Sequence, residues 1–151
     1  MDETVSLKLA SDDKKMYNNL VKLTNKNKKK EQQMKNLFTY EGVVTNIVDG
    51  DTIDIEFDLG FSIKFTERVR LYGIDAYEPT LRKGTTEEKK KLGIEAKAYL
   101  IEKLQGQIVF VETIKDEKGK FGRYLANVSY KGTLINEDMV NKGYAVEYAY
   151  S

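Results

Sequence analysis

"YEGVVTNIVDGDTIDIEF", Tyr40 to Phe57, is the stretch that decides the fold class. Val43, Val44, Ile47 and Val48 precede Asp49-Gly50, and Ile53, Ile55 and Phe57 follow it. Side chains branched at Cβ suit extended backbone, and Asp-Gly is a strong hairpin signal. Two strands joined by a tight turn are therefore expected, over 40–48 and 52–57.

Outward from this hairpin, "FSIKFTERVRLYGI" (61–74) alternates apolar and polar residues and reads as a third, long strand. The polar loop "DAYEPTLRKGTTEEKKK" follows, with the only proline, Pro79. "GIEAKAYLIEKL" (93–104) reads as an amphipathic helix carrying Ile94, Ala98 and Ile101. "QIVFVETI" and "RYLANVSY" read as strands on either side of the turn "KDEKGKFG". "LINEDMVNKG" reads as a short helix stopped by Gly143, and "YAVEYAY" follows it. Three strands, a helix, two strands and a helix predict a mainly β (α+β) domain: a five-stranded Greek-key barrel of the OB type, with two or three helices attached.

Toward the other end the texture is polar. Residues 1–38 predict a basic, partly helical extension before a domain at 39–151. Ser11-Asp12-Asp13 offer a cap, Met16, Leu20 and Leu23 recur at helical spacing, and "NKNKKKEQQ" interrupts the apolar pattern. This segment holds nine lysines against five acidic residues, whereas the remainder holds 16 basic and 19 acidic residues. It reads as a solvated helix or a frayed tail, or else as a basic arm touching phosphates or a partner protein. "MDETVSLKLASDDKK" lacks the pattern of a secretory leader and no apolar run could span a bilayer, so a cytoplasmic monomer without membrane association is the expectation.

The chain of 151 residues contains no cysteine and no histidine. That excludes disulfides, thiolate nucleophiles, cysteine or histidine metal centres and imidazole acid–base chemistry. Catalysis would need carboxylates, Lys, Arg, Tyr or hydroxyls, with a hard, oxygen-seeking cation as the natural companion. Asp51 sits at the hairpin turn, Arg70 inside the third strand, Asp75 and Glu78 beyond it, and Arg123 at the start of the fifth. Two carboxylates can bind Ca²⁺ or Mg²⁺, a third can take a proton from water, and two guanidiniums can grip a phosphate. Each residue taken singly is more often a turn or surface residue. An EF-hand is excluded, because its sixth position counted from Asp49 falls on Asp54 instead of glycine.

"VDGDT" (48–52), "RLYGIDAYE" (70–78), "GIEA" (93–96), "FGR" (121–123) and "INEDMVNKGYA" (135–145) occur in the order and spacing of the staphylococcal nuclease-like family. From Tyr40 onward the chain resembles that family. The resemblance implies an OB-fold barrel that binds single-stranded nucleic acid, DNA or RNA. It implies one Ca²⁺, with Mg²⁺ as the substitute, held by Asp51, Asp75 and the backbone carbonyl of Ala76. It implies Arg70 and Arg123 as phosphate-binding catalytic arginines and Glu78 as the general base. The products implied are 3′-phosphate and 5′-hydroxyl ends. Lys120 and Phe121, with Tyr148 and Tyr150, correspond to nucleic-acid contacts, although the two tyrosines read equally well as edge packing. Phe121 stands where many members have tyrosine, and Pro79 follows Glu78 where a common form places proline before it.

Two other readings stand beside the nuclease. One is a catalytically weak or inactive OB module that binds nucleic acid or a protein. The other is an interaction protein whose N-terminal helix meets a partner. A nuclease without a leader must be tolerated by its own cell, which suits a specialised enzyme or one encoded by a phage or mobile element.

Overall fold

The computed structural model describes residues 3–35, 37–81 and 83–150, the side chains of 3–12 and 30–35 excepted. The chain divides into two compact units between Leu37 and Phe38. The first is a single helix, α1 (Glu3–Lys35). It runs straight through Ser11-Asp12-Asp13, so the expected cap is not present, and it continues through "NKNKKKEQQ". No glycine or proline occurs before Gly42, and Lys, Glu and Gln sustain a helix well.

The second unit is built on the hairpin. Strand β1 (Thr39–Asp49) pairs antiparallel with β2 (Thr52–Asp58), Asp49 opposite Thr52, across the two-residue turn Gly50-Asp51. Register slips after Val44 and Ile47 bend β1, and the other edge of its first half pairs with β5 (Ile108–Lys118). β2 pairs antiparallel with β3 (Lys64–Leu71), and β5 with β6 (Tyr124–Tyr130). A parallel pairing of β3 with β6, from Val69↔Tyr124 to Leu71↔Ala126, closes the barrel. The five-stranded mixed barrel is the OB architecture expected. Three short strands were not foreseen: β4 (Ile74–Ala76), β7 (Thr133–Leu134) and β8 (Ala145–Glu147). β4 pairs with β8 and β7 with β6. The expected strand at 61–74 is shorter because Gly60, Phe61 and Ser62 form a tight loop at positive φ and Gly73 turns the chain before β4.

Inward-facing Val44, Ile53, Ile55, Val69, Leu71, Val109, Val111 and Val128 are fully buried and fill the barrel. Helix α2 (Glu87–Leu104) begins earlier than Gly93 because the Thr86 side chain accepts from the Lys89 N–H, a proper N-cap. Its buried face is Gly93, Ala96, Leu100 and Leu104, and Ile94 and Ile101 point largely to solvent. The apolar face is thus displaced from the one the isoleucines suggested, because small residues are needed where the helix meets backbone. Helix α3 (Ile135–Asn141) buries Ile135, Asn136 and Met139, and Gly143 lies beyond its end at φ 79°. Among the described residues no helix is long and apolar enough to cross a membrane.

Candidate active site

The turn Gly50-Asp51 owes its glycine to crowding. Neither residue has positive φ. A Cβ on Gly50 would stand 2.8 Å from the Ala96 Cβ and 2.9 Å from the Ala76 Cβ. The turn is pressed between α2 and β4, and that pressure aims Asp51 inward. Its carboxylate is buried, 7% exposed. Oδ2 accepts from the Ala76 N–H at 2.9 Å and Oδ1 from the Thr52 hydroxyl at 2.9 Å. Asp49 accepts from the Asp51 N–H at 3.1 Å.

Arg70 reaches over this carboxylate from β3. Its Nη2 lies 3.9 Å from Asp51 Oδ2, and donates to Asp75 Oδ1 and to the Ile74 carbonyl, each at 3.2 Å. One guanidinium nitrogen thus serves two carboxylates. Arg70 Nε is buried and has no hydrogen-bond partner in the protein. Arg123 Nη1 donates to the Thr52 hydroxyl at 3.3 Å. Thr52 therefore links Arg123 to Asp51, a role that sequence reasoning missed, although the residue lies inside "VDGDT".

Glu78 is half-buried on the segment after β4. Its backbone is fixed by α2, since a Cβ on Gly93 would fall 2.3 Å from the Glu78 carbonyl carbon and oxygen. Gly93 and Ala96 of "GIEA" thus seat the two carboxylate-bearing segments against one helix face.

Negative charge is in surplus here. Burial, then the Asp51 charge, raise the Asp75 carboxyl, and Arg70 opposes them. Asp49 is pushed up to about 7, first by burial, then by Asp51, with Glu78 adding to it. The donors are all hard oxygens, so Asp51 and Asp75 suit a divalent cation better than any soft metal. Among the described residues no three acidic side chains gather into a metal-holding group, so a third ligand would have to come from backbone or water. Ala76 adjoins the pair, but the contact seen runs through its N–H.

A cleft opens beside the arginines, lined by Arg70, Lys120, Phe121, Arg123, Tyr148 and Tyr150. Tyr148 lies under Arg70, ring centroid 5.2 Å from Cζ, and Phe121 lies 5.7 Å from the Arg123 Cζ. Tyr150 stacks on Tyr72 at 5.1 Å. Lys120 is within 6.0 Å of the Phe121 ring centroid. Of the residues expected at the site, Arg70, Lys120, Phe121, Arg123, Tyr148 and Tyr150 line this cleft, and Asp51 and Asp75 adjoin Arg70. Among the described residues Glu78 makes no hydrogen bond or ion pair with them and acts only through its charge on Asp49.

Residues 68–151 match the family model described as staphylococcal nuclease homologue. The chain is 32% identical over 113 residues to endonuclease YhcR of Bacillus subtilis (strain 168), covering 72% of this chain and 9% of that protein. It is 34% identical over 117 residues to an uncharacterized protein of Bacillus anthracis, covering 76% and 50%. It is 31% identical over 128 residues to an uncharacterized protein of Methanocaldococcus jannaschii, covering 72% and 59%. The chain spans less than two thirds of the length of each of these relatives. With the match to the family model across more than half its length, the chain belongs to the staphylococcal nuclease homologue family.

Proposed function

We propose that the protein is a divalent-cation-dependent nuclease that hydrolyses phosphodiester bonds of DNA or RNA. The observation that carries this reading is the linked set Arg123–Thr52–Asp51–Arg70–Asp75, which opens on a cleft with aromatic walls. The name of the relative endonuclease YhcR agrees with it.

Asp51, Asp75 and the Ala76 carbonyl would hold one Ca²⁺, or Mg²⁺ in its place. When bound, the cation supplies positive charge to the phosphate and lowers the pKa of water. Arg70 turns from its carboxylate partners toward the phosphoryl oxygens, with Nε as a donor still to be used. Arg123 neutralises the same developing charge. Glu78 takes the proton of the attacking water. The scissile bond is P–O5′, so the products carry 3′-phosphate and 5′-hydroxyl ends. Phe121, Tyr148 and Tyr150 offer faces on which unpaired bases stack, which favours single strands.

Cleavage of single-stranded DNA, duplex DNA and RNA with Ca²⁺, Mg²⁺ or EDTA tests this, with Glu78→Gln and Arg70→Ala beside wild type. Cation-dependent cleavage that falls at least a hundredfold in both variants is expected. A folded wild type that binds nucleic acid and leaves it intact under every cation would make the domain a binding module instead.

A further inference from the structure

A second concave site lies elsewhere on the barrel, and neither the family motifs nor the proposed chemistry uses it. Tyr40, Phe57, Leu59, Phe65 and Tyr124 wall a small pocket, and Asp116 and Thr113 stand at its polar end. The rings meet at steep angles. Tyr40 and Phe57 cross at 80°, and Phe65 and Tyr124 at 77°, so ring faces and edges enclose the space from several directions.

The carboxylate is brought there by a bulge. Lys115 and Asp116 both occupy left-handed backbone, φ 53° and 52°, where the β5–β6 register slips between Thr113 and Lys118. Bulges of this kind re-aim a side chain. Asp116 Oδ2 accepts from the Tyr40 hydroxyl at 2.5 Å, and Oδ1 accepts from the Thr113 hydroxyl. The bond to Asp116, with burial, pushes the Tyr40 hydroxyl up to about 12. Each carboxylate oxygen keeps a lone pair to spare. Nearby Asp58 and Glu67 have lysine partners at 3.1 and 3.5 Å, but Asp116 has no cationic partner among the described residues.

Aromatic faces attract cations, and a carboxylate fixed by neutral donors leaves its charge uncompensated. The walls already take one cation of the chain itself, since Lys118 Nζ lies 5.3 Å from the Tyr124 ring centroid. A guanidinium satisfies both features at once, stacking flat on a ring and forking onto the carboxylate. Beside the pocket mouth, the β2–β3 loop raises Phe61, 97% exposed at φ 53°, between the exposed Leu59 and Ile63. A bulky aromatic residue held in left-handed backbone with its ring in water is a costly arrangement, and it gives the pocket an apolar shoulder.

We propose that this pocket binds an arginine side chain of a polypeptide partner, the guanidinium between the aromatic walls and Asp116 and the flanking apolar residues on Leu59, Phe61 and Ile63. The acidic balance of the barrel-bearing part of the chain, 16 basic against 19 acidic residues, favours a cationic ligand here over another segment of nucleic acid.

The test is an NMR titration of the full chain with an acetylated, amidated Leu-Arg-Leu peptide and with the same peptide carrying citrulline, the uncharged isostere. The arginine peptide is expected to shift the Tyr40, Phe65 and Tyr124 ring signals and to bind about tenfold or more tightly than the citrulline peptide. Asp116→Asn, which keeps a residue suited to left-handed backbone, is expected to remove most of that preference. Equal binding of the two peptides, shifts confined to other surfaces, or no shifts at millimolar peptide would each overturn the proposal. The peptide comparison on wild type decides it even if the variant fails to fold.

Discussion

A methyl group on Gly93 would lie 2.3 Å from two backbone atoms of Glu78, and backbone cannot swing aside as a side chain can. Gly93→Ala should therefore cost about 1–3 kcal/mol, read as a lower denaturant midpoint at unchanged slope. Turnover measured well below that midpoint should fall as well, because the chain must move Glu78 to relieve the clash. Ile94→Ala, next door and half exposed, should change both by little. Arg70 poses a different question. Arg70→Ala leaves the buried Asp51 carboxylate without its cation and should destabilise the fold as well as abolish turnover. Arg70→Lys keeps the charge but loses the fork, so turnover should fall about a hundredfold while the thermal midpoint stays within a few degrees. The charged residues of this face were legible in the sequence because each stands in a motif. Thr52, Gly93 and Ala96 were less so, since a hydroxyl linking two charged groups and a helix face cut small for a neighbouring backbone are set by distances that no local pattern encodes.

Helices α2 and α3 are joined by a polar clasp at the element scale. Tyr99 donates to Asp138, Lys103 Nζ approaches the Asp138 carboxylate at 3.0 Å, and Lys142 approaches it at 3.9 Å. Burial works to raise the Asp138 carboxyl, but Tyr99, Lys103 and Lys142 together hold it below the ordinary carboxylate range. A depressed folded-state value means stability that is present above the unfolded value, near 4, and lost as pH falls through the lower folded value. Asp138→Asn should thus cost roughly 1–3 kcal/mol at neutral pH. The gap to wild type should close in urea melts run at progressively more acid pH. A gap that stayed constant down to the pH of acid unfolding would exclude the clasp. The barrel strands themselves were legible because each is long enough to show its alternation. Residues 74–76, 133–134 and 145–147 are two or three residues long, too short for any period to register. The helix faces were misjudged for a related reason. Ile94 and Ile101 are large and apolar, yet the close approach of α2 to Gly50 and Glu78 selects Gly93 and Ala96 for the buried face.

Across the whole molecule, charge is divided by position along the chain. α1 and its surroundings, residues 1–38, carry nine lysines against five acidic residues, and the barrel-bearing remainder carries 16 basic against 19 acidic. Affinity for nucleic acid at neutral pH comes largely from phosphate neutralisation and counterion release, so its salt dependence counts the phosphates contacted. The proposed cleft supplies three cations, Arg70, Lys120 and Arg123, and Arg70 is partly spent on Asp51 and Asp75. Lys22, Lys26, Lys28 and Lys29 are exposed on α1. If a bound strand touches them as well, their charges add to those of the cleft. Deleting residues 1–35 should therefore weaken binding to a single-stranded oligonucleotide and flatten the plot of log affinity against log salt by about two, equivalent to roughly three phosphates. Turnover at saturating substrate should change much less, because none of the residues assigned to the chemistry lies before Asp51. Unchanged affinity and slope in the shortened protein across the salt series would assign all of the binding to the barrel, and the basic segment would then need another partner.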